Sequence, residues 1–441
     1  MKRLFMISGL TDLQKAGNQS FLNTIKYLSS NGFEIDVFNF GQQPEEENYM
    51  LTQAMKKNVK FHRMPLWISR LMLFAKNKKS KIGGYGKHID LEDSPQMCSS
   101  ERIGYFSEYN VFGLLTYVAF FLIYLPIELL RVLYYSIKSR PDLIYGYEVY
   151  GAVVAVLLGK LIDRAVITRF QGTALTEHDL EKPTRKLMLI HHIIALKAPS
   201  EAIIMANDGT RGDVILEKLG VRKENICFWL NGLDVRRMLP VGQEDKGHLK
   251  RKLGIEGRQV LVMVSKLKKW KRVDRGIRCV HALQEYIGVE NLVLLIIGDG
   301  PERNNLTALA EQLGVSDKII FLGETAFEKV NRYYQVADIF LSLYDISNLG
   351  NPVLEALYYG APIVSIDDGS TKGILEDGEN AILVPCSDID CELPNRVYLL
   401  LKDEEKRREL ACRGKNSFAN TIMSWEKRMD MEIDLIHRLA P

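Results

Sequence analysis

Several signatures that assign a function at sight are missing from this sequence. Six cysteines are scattered over 441 residues without a CxxC pair, so neither a zinc site nor a disulfide framework is indicated. Neither the GxGxxG fingerprint nor the GxxxxGKS/T loop occurs, which argues against dinucleotide oxidoreductases and P-loop enzymes. Basic and acidic residues nearly cancel, 58 against 55, so no overall adaptation to nucleic acid is visible.

The rest of the composition is that of a globular protein. Hydrophobic residues make up 46% and charged residues 26%, which excludes wholesale disorder and collagen-like or coiled-coil architecture. Isolated cysteines are typical of buried small hydrophobes in a reducing compartment, so we expect a cytoplasmic location. The first ten residues combine basic side chains with a short apolar run and no small-residue cleavage site. They predict a first β-strand rather than a signal peptide.

Short segments rich in Val, Ile and Leu alternate with segments of helical periodicity, the pattern of parallel sheets with crossover helices. The predicted strands are residues 4–8, 33–40, 143–147, 166–170, 202–205, 260–264, 292–297, 319–322, 339–343 and 362–365. Residues 236–257 are polar and lack strong periodicity, and we interpret them as a linker. The predicted fold class is α/β, with two doubly wound, Rossmann-like domains that face each other across a ligand-binding cleft.

One segment carries a strong charge imbalance. Residues 55–89 contain ten Lys or Arg and no Asp or Glu, and large apolar side chains such as Trp67 and Phe74 are interleaved with them. Basic residues mixed with large apolar ones suit an anionic membrane surface. A solvated loop-helix excursion is the alternative, since charge runs are commonly just surface.

Residues 109–127 are uncharged over nineteen positions, long enough for a transmembrane candidate. Predicted strands of one sheet lie before and after this segment, and a single crossing would put them on opposite sides of the membrane. Two further interpretations therefore stand beside a single span. The segment is either an apolar helix packed on its own domain or a helix lying in the membrane interface.

Two loops of the second half follow predicted strands and carry candidate chemistry. The loop after strand 260–264 contains Lys266 and Lys271, whose ammonium groups can neutralise a diphosphate leaving group. The turn after the next strand contains Gly298 and Gly300, which allow the backbone to approach a ligand closely. Each loop, taken alone, is also compatible with an ordinary surface turn.

A third loop, residues 345–351, leads into a predicted helix. The backbone N–H groups from Leu349 to Val353 are expected at the helix N-terminus, which is a natural phosphate site, and Pro352 fits as the first helical residue. Glu355 is predicted in the first turn, where its carboxylate can accept hydrogen bonds from two vicinal hydroxyls. A carboxylate that merely complements the helix dipole is the alternative.

Together these segments resemble the retaining GT-B glycosyltransferases of the GT4 family, also called glycosyltransferase group 1. That family shows a basic segment G/S-R/K-L-xxxK-G, a G-x-G-P turn, and E-x7-E followed by A-x-x-x-G-x-P-V. The matching letters here are SKLKKWK, GDGP and LEALYYGAPIV. Residues 13–21, 140–143, 231–234 and 424–426 resemble the family's glycine-rich loop, its PDL strand, its NGVD segment and its closing helix. The resemblance spans nearly the whole chain and is weakest at 45–140.

The resemblance implies an acceptor-binding domain at 1–237, with a membrane-facing excursion at about 55–135. It implies a nucleotide-sugar-binding domain at 238–415 and a helix at 416–441 that crosses back to the first domain. The implied reaction is metal-independent transfer of a sugar from a UDP- or GDP-linked donor to a hydroxyl of a lipid-linked or cell-surface glycan, with retention. The donor is a substrate, so we expect no cofactor. We expect no nucleic-acid partner and a peripheral position on the inner face of the cytoplasmic membrane.

The family pattern also implies roles for individual residues. Lys266 and Lys271 would hold the donor diphosphate, with the backbone of Gly17 close to it. Glu355 would bind the ribose hydroxyls. Gly323 and Glu324 would flank the nucleobase. The remaining donor-site residues that the pattern implies are Gly298, Gly300, Ser347, Asn348, Leu349, Gly350 and Asn351.

Three departures from the pattern bear on the transferred sugar. The first Glu of E-x7-E falls on Ser347, and with Asn348 and Asn351 it forms a neutral set that suggests altered sugar selection. The family's histidine aligns with Gln171, which cannot titrate, so only positioning of the transferred sugar is left to it. The glycine that follows the phosphate lysine is Arg272 here.

Other residues and functions were weighed against this interpretation. Adjacent histidines at 191 and 192 are typical of packing or surface positions, and residues 207–213 are predicted to cap a helix, with a lining role at the cleft as the alternative. A sugar-nucleotide epimerase of the same fold remains open, although no carboxylate in the first half is convincingly placed for acid–base chemistry. A membrane-docked partner protein with a vestigial donor site also remains open because of Ser347 and Gln171.

Overall fold

The computed structural model describes residues 1–9, 19–39, 53–63, 111–235, 238, 243–285 and 288–440. Gly17 and most of the basic segment at 55–89 lie outside these ranges. Within them the chain forms two parallel sheets flanked by helices, so the predicted α/β class is confirmed.

The first sheet has its strands in the order β3-β2-β1-β4-β5-β6-β7, all parallel. The strands are β1 (Arg3–Ser8), β2 (Glu34–Asn39), β3 (Val59–Arg63), β4 (Leu143–Tyr147), β5 (Val166–Phe170), β6 (Ala202–Ala206) and β7 (Ile226–Trp229). The helices are α1 (Gln19–Ser30), α2 (Gln53–Asn58), α3 (Val111–Ser139), α4 (Glu148–Ile162), α5 (Glu177–Glu181), α6 (Pro183–Met188), α7 (Ile190–Leu196) and α8 (Gly212–Lys218). Strands β4, β5 and β6 are buried on both faces, which explains the continuous apolar run of β6, whereas β5 carries Thr168 and Arg169 at buried positions.

The second sheet has the order β10-β9-β8-β11-β12-β13, also all parallel. The strands are β8 (Gln259–Val264), β9 (Leu292–Ile297), β10 (Ile319–Gly323), β11 (Ile339–Ser342), β12 (Ile363–Asp367) and β13 (Ile382–Pro385). The helices are α9 (Gln243–Lys252), α10 (Val273–Glu285), α11 (Arg303–Gln312), α12 (Phe327–Val336), α13 (Asn351–Tyr359), α14 (Ile389–Lys402), α15 (Glu404–Thr421) and α16 (Trp425–Leu439).

The strand order reverses once in each sheet. The chain moves outward from β1 to β3 and then returns to β4 on the other side of β1, and it repeats this with β8, β10 and β11. Open α/β sheets bind ligands in the crevice at such a reversal, outside the carboxyl ends of the strands. The loops after β1, β4, β8 and β11 are therefore the places to look for a site.

Helix α16 packs against the first sheet although it follows the second in sequence. Trp425, Met429 and Ile436 are buried in the hydrophobic core that contains β1 and β4. The chain passes between the two domains twice, once after β7 and once before α16, and these two segments lie side by side. The N–H of Leu233 donates to the carbonyl of Met423, and the N–H of Trp425 donates to the carbonyl of Leu233, both at 3.1 Å.

A buried ionic network lies beneath α16. The carboxylate of Glu432 is 0% exposed and lies 3.1 Å from the guanidinium of Arg169 on β5 and 3.0 Å from that of Arg428. The hydroxyl of Tyr145 donates to the same carboxylate at 2.5 Å. Losing one member of such a network leaves a charge without a partner in a low-dielectric interior, which is costly.

The polar segment at 236–257, interpreted as a linker, contains α9, whose charged helix-forming residues give no apolar periodicity. Helices α6 and α7 are separate and meet at Leu189.

Residues 111–127 of the uncharged segment form the first part of α3, which continues through Pro126 to Ser139. The helix packs on its own domain, because Tyr124 and Val132 are buried against Phe5 of β1. Among the residues that the structure describes, no helix combines the length and the apolar character needed to cross a membrane.

Candidate active site

At the carboxyl edge of the second sheet, the turns after β9 and β10, which contain Gly298 and Gly323, lie next to the loop after β8. The N–H of Gly298 donates to the carbonyl of Gly323 at 2.9 Å. A Cβ on Gly298 would lie 1.9 Å from the carbonyl oxygen of Ser265, and its φ of +129° is one that side chains rarely adopt. Only glycine lets these loops approach so closely.

Gly300, two residues after Gly298, makes the same kind of close contact with the loop after β8. A Cβ there would lie 2.4 Å from the carbonyl oxygen of Leu267, whose own N–H donates to the carbonyl of Asp299 at 3.0 Å. Lys266 is exposed on the supported loop, and Glu324 is exposed at the margin of the patch. The structure thus places Lys266, Gly298, Gly300 and Gly323 around one patch of this edge.

Lys271 lies in an aromatic pocket beside the loop after β11. Its ammonium nitrogen is 4.0 Å from the ring centroid of Trp270 and 3.6 Å from that of Tyr344. Burial lowers the pKa of Lys271 to about 7; nearby Asp208 opposes this shift and Lys268 adds to it. An anionic ligand in this pocket would restore the charge of the ammonium group.

Arg272 shows why related sequences have glycine after this lysine. Its backbone is left-handed, with φ +45°, a conformation that glycine adopts freely. Its guanidinium lies 2.9 Å from Asp274 and 3.3 Å from Asp345. These ion pairs hold an arginine in the turn and tie the loop after β8 to the loop after β11.

The loop into α13 uses its side chains mainly to hold its own shape. Asn348 is fully buried, and its amide both accepts from the N–H of Tyr344 and donates to the carbonyl of Tyr344, each at 2.9 Å. Its side chain therefore braces the loop, contrary to the expectation that it contacts a sugar. Leu349 is buried in the core, Gly350 precedes the helix, and Asn351 is exposed at its start.

Glu355 lies one residue further into α13 than predicted, and thus just past its first turn, because the helix begins at Asn351 and Pro352 is its second residue. The carboxylate is buried and accepts a hydrogen bond from the hydroxyl of Tyr334 at 2.8 Å. Burial raises the pKa of Glu355 to about 7, and the Tyr334 hydrogen bond opposes that shift.

Residues 207–211 lead from β6 into α8, and two of them, Asp208 and Gly209, contact the second domain, which was the alternative to a role in capping the helix. Helix α8 begins at Gly212, and the residue before it, Arg211, makes no side-chain cap. The hydroxyl of Ser347, in the second domain, donates to the backbone carbonyl of Asp208 at 2.7 Å. The two domains therefore touch at the loops after β6 and β11.

Close contact at this point depends on Gly209. Its φ is +88°, and a Cβ would lie 3.0 Å from the backbone nitrogen of Leu349. Next to it, burial raises the pKa of the Asp208 carboxyl to about 6, while hydrogen bonds from Thr210 and the charge of Lys271 oppose the shift.

Glu148, in the first domain, is a carboxylate that the sequence analysis did not single out. The N–H of Gln171 donates to Oε1 of Glu148 at 2.8 Å, and the side-chain oxygen of Gln171 accepts from the amide of Asn231 at 3.1 Å. The expectation that no first-half carboxylate is placed for acid–base chemistry is therefore wrong, since Glu148 and Asp208 both lie there. The only trace in the sequence is a glutamate between Gly146 and Gly151 at a strand-to-helix junction.

The adjacent histidines lie on α7, where His191 is buried and its ring centroid is 4.4 Å from that of His192.

Comparison with known proteins finds a family for the second half of the chain. Residues 245–417 match the model "Glycosyl transferases group 1". The chain is 28% identical over 176 residues to N-acetyl-alpha-D-glucosaminyl L-malate synthase of Bacillus anthracis, covering 40% of this chain and 45% of that one. It is 27% identical over 204 residues to a GDP-mannose-dependent alpha-(1-6)-phosphatidylinositol monomannoside mannosyltransferase of Mycolicibacterium smegmatis, covering 45% and 52%. The matches thus span about half the length of these curated relatives.

The fold agrees over a longer range. The crystal structure of Anabaena HepE in complex with UDP superposes with a TM-score of 0.67 at 15% identity, covering 98% of this chain and 100% of that chain. Two Rossmann-like parallel sheets with this topology define the GT-B class of glycosyltransferases. Residues 245–417 form a glycosyltransferase group 1 domain, so the resemblance seen in the sequence is confirmed.

Proposed function

We propose that the protein transfers a hexose-like sugar from a UDP- or GDP-linked donor to a hydroxyl of a lipid-linked or cell-surface glycan. Transfer would be metal-independent and would retain the anomeric configuration. The observation that carries the proposal is the position of Lys271, in a desolvated aromatic pocket at the strand reversal of a group 1 domain.

In this proposal the donor binds along the carboxyl edge of the second sheet. Lys266, Lys271 and the N-terminal amides of α13 hold the diphosphate, and Glu355 accepts hydrogen bonds from the ribose hydroxyls. As the bond to the sugar breaks, negative charge develops on the diphosphate and the two ammonium groups stabilise it. Contact between the two domains excludes water and so limits hydrolysis of the donor.

The acceptor class is proposed from the relatives. One relative is described as a phosphatidylinositol monomannoside mannosyltransferase, and another, from Streptococcus pneumoniae, as an alpha-monoglucosyldiacylglycerol synthase. Both names describe lipid acceptors, which favours a lipid-linked acceptor here as well.

We also propose a peripheral position on the inner face of the cytoplasmic membrane. Helix α3 buries Glu128 and Ser136 and exposes several large apolar side chains. The exposed apolar residues are Val118, Leu122, Ile123, Leu130, Tyr134 and Ile137. Together with the cationic segment at 55–89, such a face suits an anionic bilayer surface.

Vesicle flotation tests this membrane contact. Replacing Leu122, Leu130 and Ile137 by Ser should abolish binding to phosphatidylglycerol-containing vesicles at low salt. The matched control is Leu399→Ser, an exposed leucine of the second domain, which should leave binding intact. Equal binding of both variants would contradict the proposal.

Donor binding is tested by calorimetry and product analysis. UDP or GDP should bind the wild type, and Lys271→Ala should abolish both binding and turnover, whereas Lys269→Ala, an exposed lysine of the same loop, should not. Activity should survive chelation of divalent metals, and NMR of the product should show a retained anomeric configuration. Tight binding in Lys271→Ala would contradict the proposed donor site.

The epimerase remains the second candidate function because Glu148 and Asp208 are carboxylates at the cleft. The same assay separates the two, since a new sugar nucleotide formed without any acceptor would identify an epimerase. A partner protein with a vestigial donor site would bind no nucleoside diphosphate.

A further inference from the structure

Glu148 lies in a sharp strand-to-helix turn after β4, at the point where the strand order of the first sheet reverses. Strand β4 ends at Tyr147, and Glu148 begins α4 with a left-handed backbone of φ +60°. This conformation is uncommon for a residue with a side chain, and residues held in it cluster at functional sites. The mechanism proposed above does not use Glu148.

Two glycines allow this turn between β4 and α4 to be sharp. A Cβ on Gly151 would lie 2.0 Å from the carbonyl oxygen of Ile7, and a Cβ on Gly146 would lie 2.7 Å from the Cα of Ala152. The start of α4 is therefore pressed against the end of β1. As a result, the Glu148 side chain stands at the crevice between β1 and β4, where open α/β sheets bind ligands.

The surroundings of Glu148 combine one fixed hydrogen bond with a desolvated carboxylate. Oε1 accepts from the N–H of Gln171 at 2.8 Å, which fixes the orientation of the group, and the residue as a whole is half-buried. The titratable groups that influence it are Asp208, Arg169 and Tyr147, and Lys271 lies beyond Asp208 on the opposite domain.

We propose that Glu148 receives the proton of the acceptor hydroxyl during sugar transfer. In this step the hydroxyl oxygen forms a bond to the anomeric carbon of the donor, and the bond between that carbon and the diphosphate oxygen breaks. The electron pair of the broken bond leaves with the diphosphate, and the hydroxyl proton passes to the Glu148 carboxylate. Solvent takes this proton up after the product departs. The inference rests on the proposed transferase function.

Neighbouring groups are less suited to this role. The side chain of Asp208 already accepts two hydrogen bonds from Thr210, and Gln171 cannot titrate. Burial raises the pKa of Glu148 to about 7; the Gln171 N–H opposes the shift and the charge of Asp208 adds to it. A carboxylate with a pKa near the working pH is an efficient general base.

The test compares Glu148→Gln with two further variants. Glutamine keeps the shape and can still accept from the Gln171 N–H, but it cannot take a proton. Glu148→Asp keeps a shorter titratable carboxylate. The matched control is Glu201→Gln, because Glu201 also accepts from a backbone N–H, that of Val166, at the opposite end of the same sheet.

Three measurements on the full chain decide the matter. Calorimetry with UDP and GDP reports donor binding. Release of nucleoside diphosphate from UDP-glucose, UDP-N-acetylglucosamine or GDP-mannose, with water or octyl glucoside as the acceptor, reports turnover. Turnover between pH 5.5 and 8.5 reports whether a group that ionises near neutrality must be deprotonated.

We expect Glu148→Gln to bind nucleotide like the wild type while its turnover falls by about 10²–10⁴-fold, the usual contribution of a general base. The wild-type rate should rise through pH 7 and level off; this rise should be absent in Glu148→Gln and kept in Glu148→Asp. Normal turnover by Glu148→Gln, or an equal loss in Glu201→Gln, would overturn the inference. A wild type that binds or turns over none of the donors would overturn the proposed function, and the inference with it.

Discussion

Glu355 offers a test in which stability and ligand binding change in opposite directions. Its folded-state pKa is about 7, above the ordinary 4.5, because burial disfavours the charged carboxylate. The folded protein therefore binds this proton more tightly than the unfolded chain does. Stability must fall as the pH rises from about 4.5 to 7, and the full penalty applies above that range.

The size of the penalty follows from the pKa values. The difference between 4.5 and about 7 corresponds to about 3 kcal/mol of unfolding free energy, of which about 2 kcal/mol develop between pH 5.5 and 8. Glu355→Gln removes the ionisation and keeps an oxygen that can accept from Tyr334. The variant should therefore gain about 4–8 °C in Tm relative to the wild type over this interval.

Thermal unfolding at several pH values, with and without nucleotide, is the assay. The control is Glu311→Gln, an exposed glutamate on α11, which should follow the wild-type pH dependence. Because hydrogen bonds to a charged group contribute about 1.5–3 kcal/mol, Glu355→Gln should also weaken nucleotide binding by at least about tenfold. An unchanged difference in Tm from pH 5.5 to 8 would refute the reasoning about burial, and unchanged nucleotide affinity would refute the ribose role.

Three further predictions concern the network beneath α16 and the cleft. Glu432→Gln leaves Arg169 and Arg428 buried without a counterion, so urea unfolding should show a loss of about 3–5 kcal/mol, and a loss below about 1 kcal/mol would contradict the network. Lys271 has a pKa lowered to about 7, so UDP binding at pH 8 should take up a proton, seen by calorimetry in buffers of different ionisation enthalpy. Lys271→Ala should abolish this uptake, and an uptake that persists would contradict the assignment. Gly209→Ala should weaken nucleotide binding and lower stability by about 1–2 kcal/mol, because alanine strains a backbone at φ +88°; wild-type behaviour would show that the domains need not approach there.

The sequence predicted the sheets well because their strands are buried on both faces. Strand β9 appears as an uninterrupted apolar run, and its observed bounds are the predicted ones. Strand β7 is only partly buried and was missed. Helix α9 was missed for a related reason, since a helix of charged residues has no apolar stripe to detect.

Some residues of the candidate site could likewise be predicted from the sequence, and others could not. Gly298 and Gly300 could be singled out because a tight turn leaves a glycine pattern in the sequence. Glu148 and Asp208 could not, because their importance depends on which strands are neighbours and on contacts across the cleft. The role expected for the Asn348 side chain differs from the observed one, because an amide that braces its own loop looks the same in sequence as one that faces a ligand.

The packing of α16 on the first sheet has a consequence for biosynthesis. Arg169 and its partner Glu432 are separated by 263 residues, so at ordinary translation rates the arginine waits on the order of 15–50 s for its counterion. During that time the nascent first domain exposes the apolar surface that Trp425 and Ile436 later cover. Folding of this domain therefore finishes after synthesis of the second one, and chaperones that shield nascent chains should bind it longest in that interval.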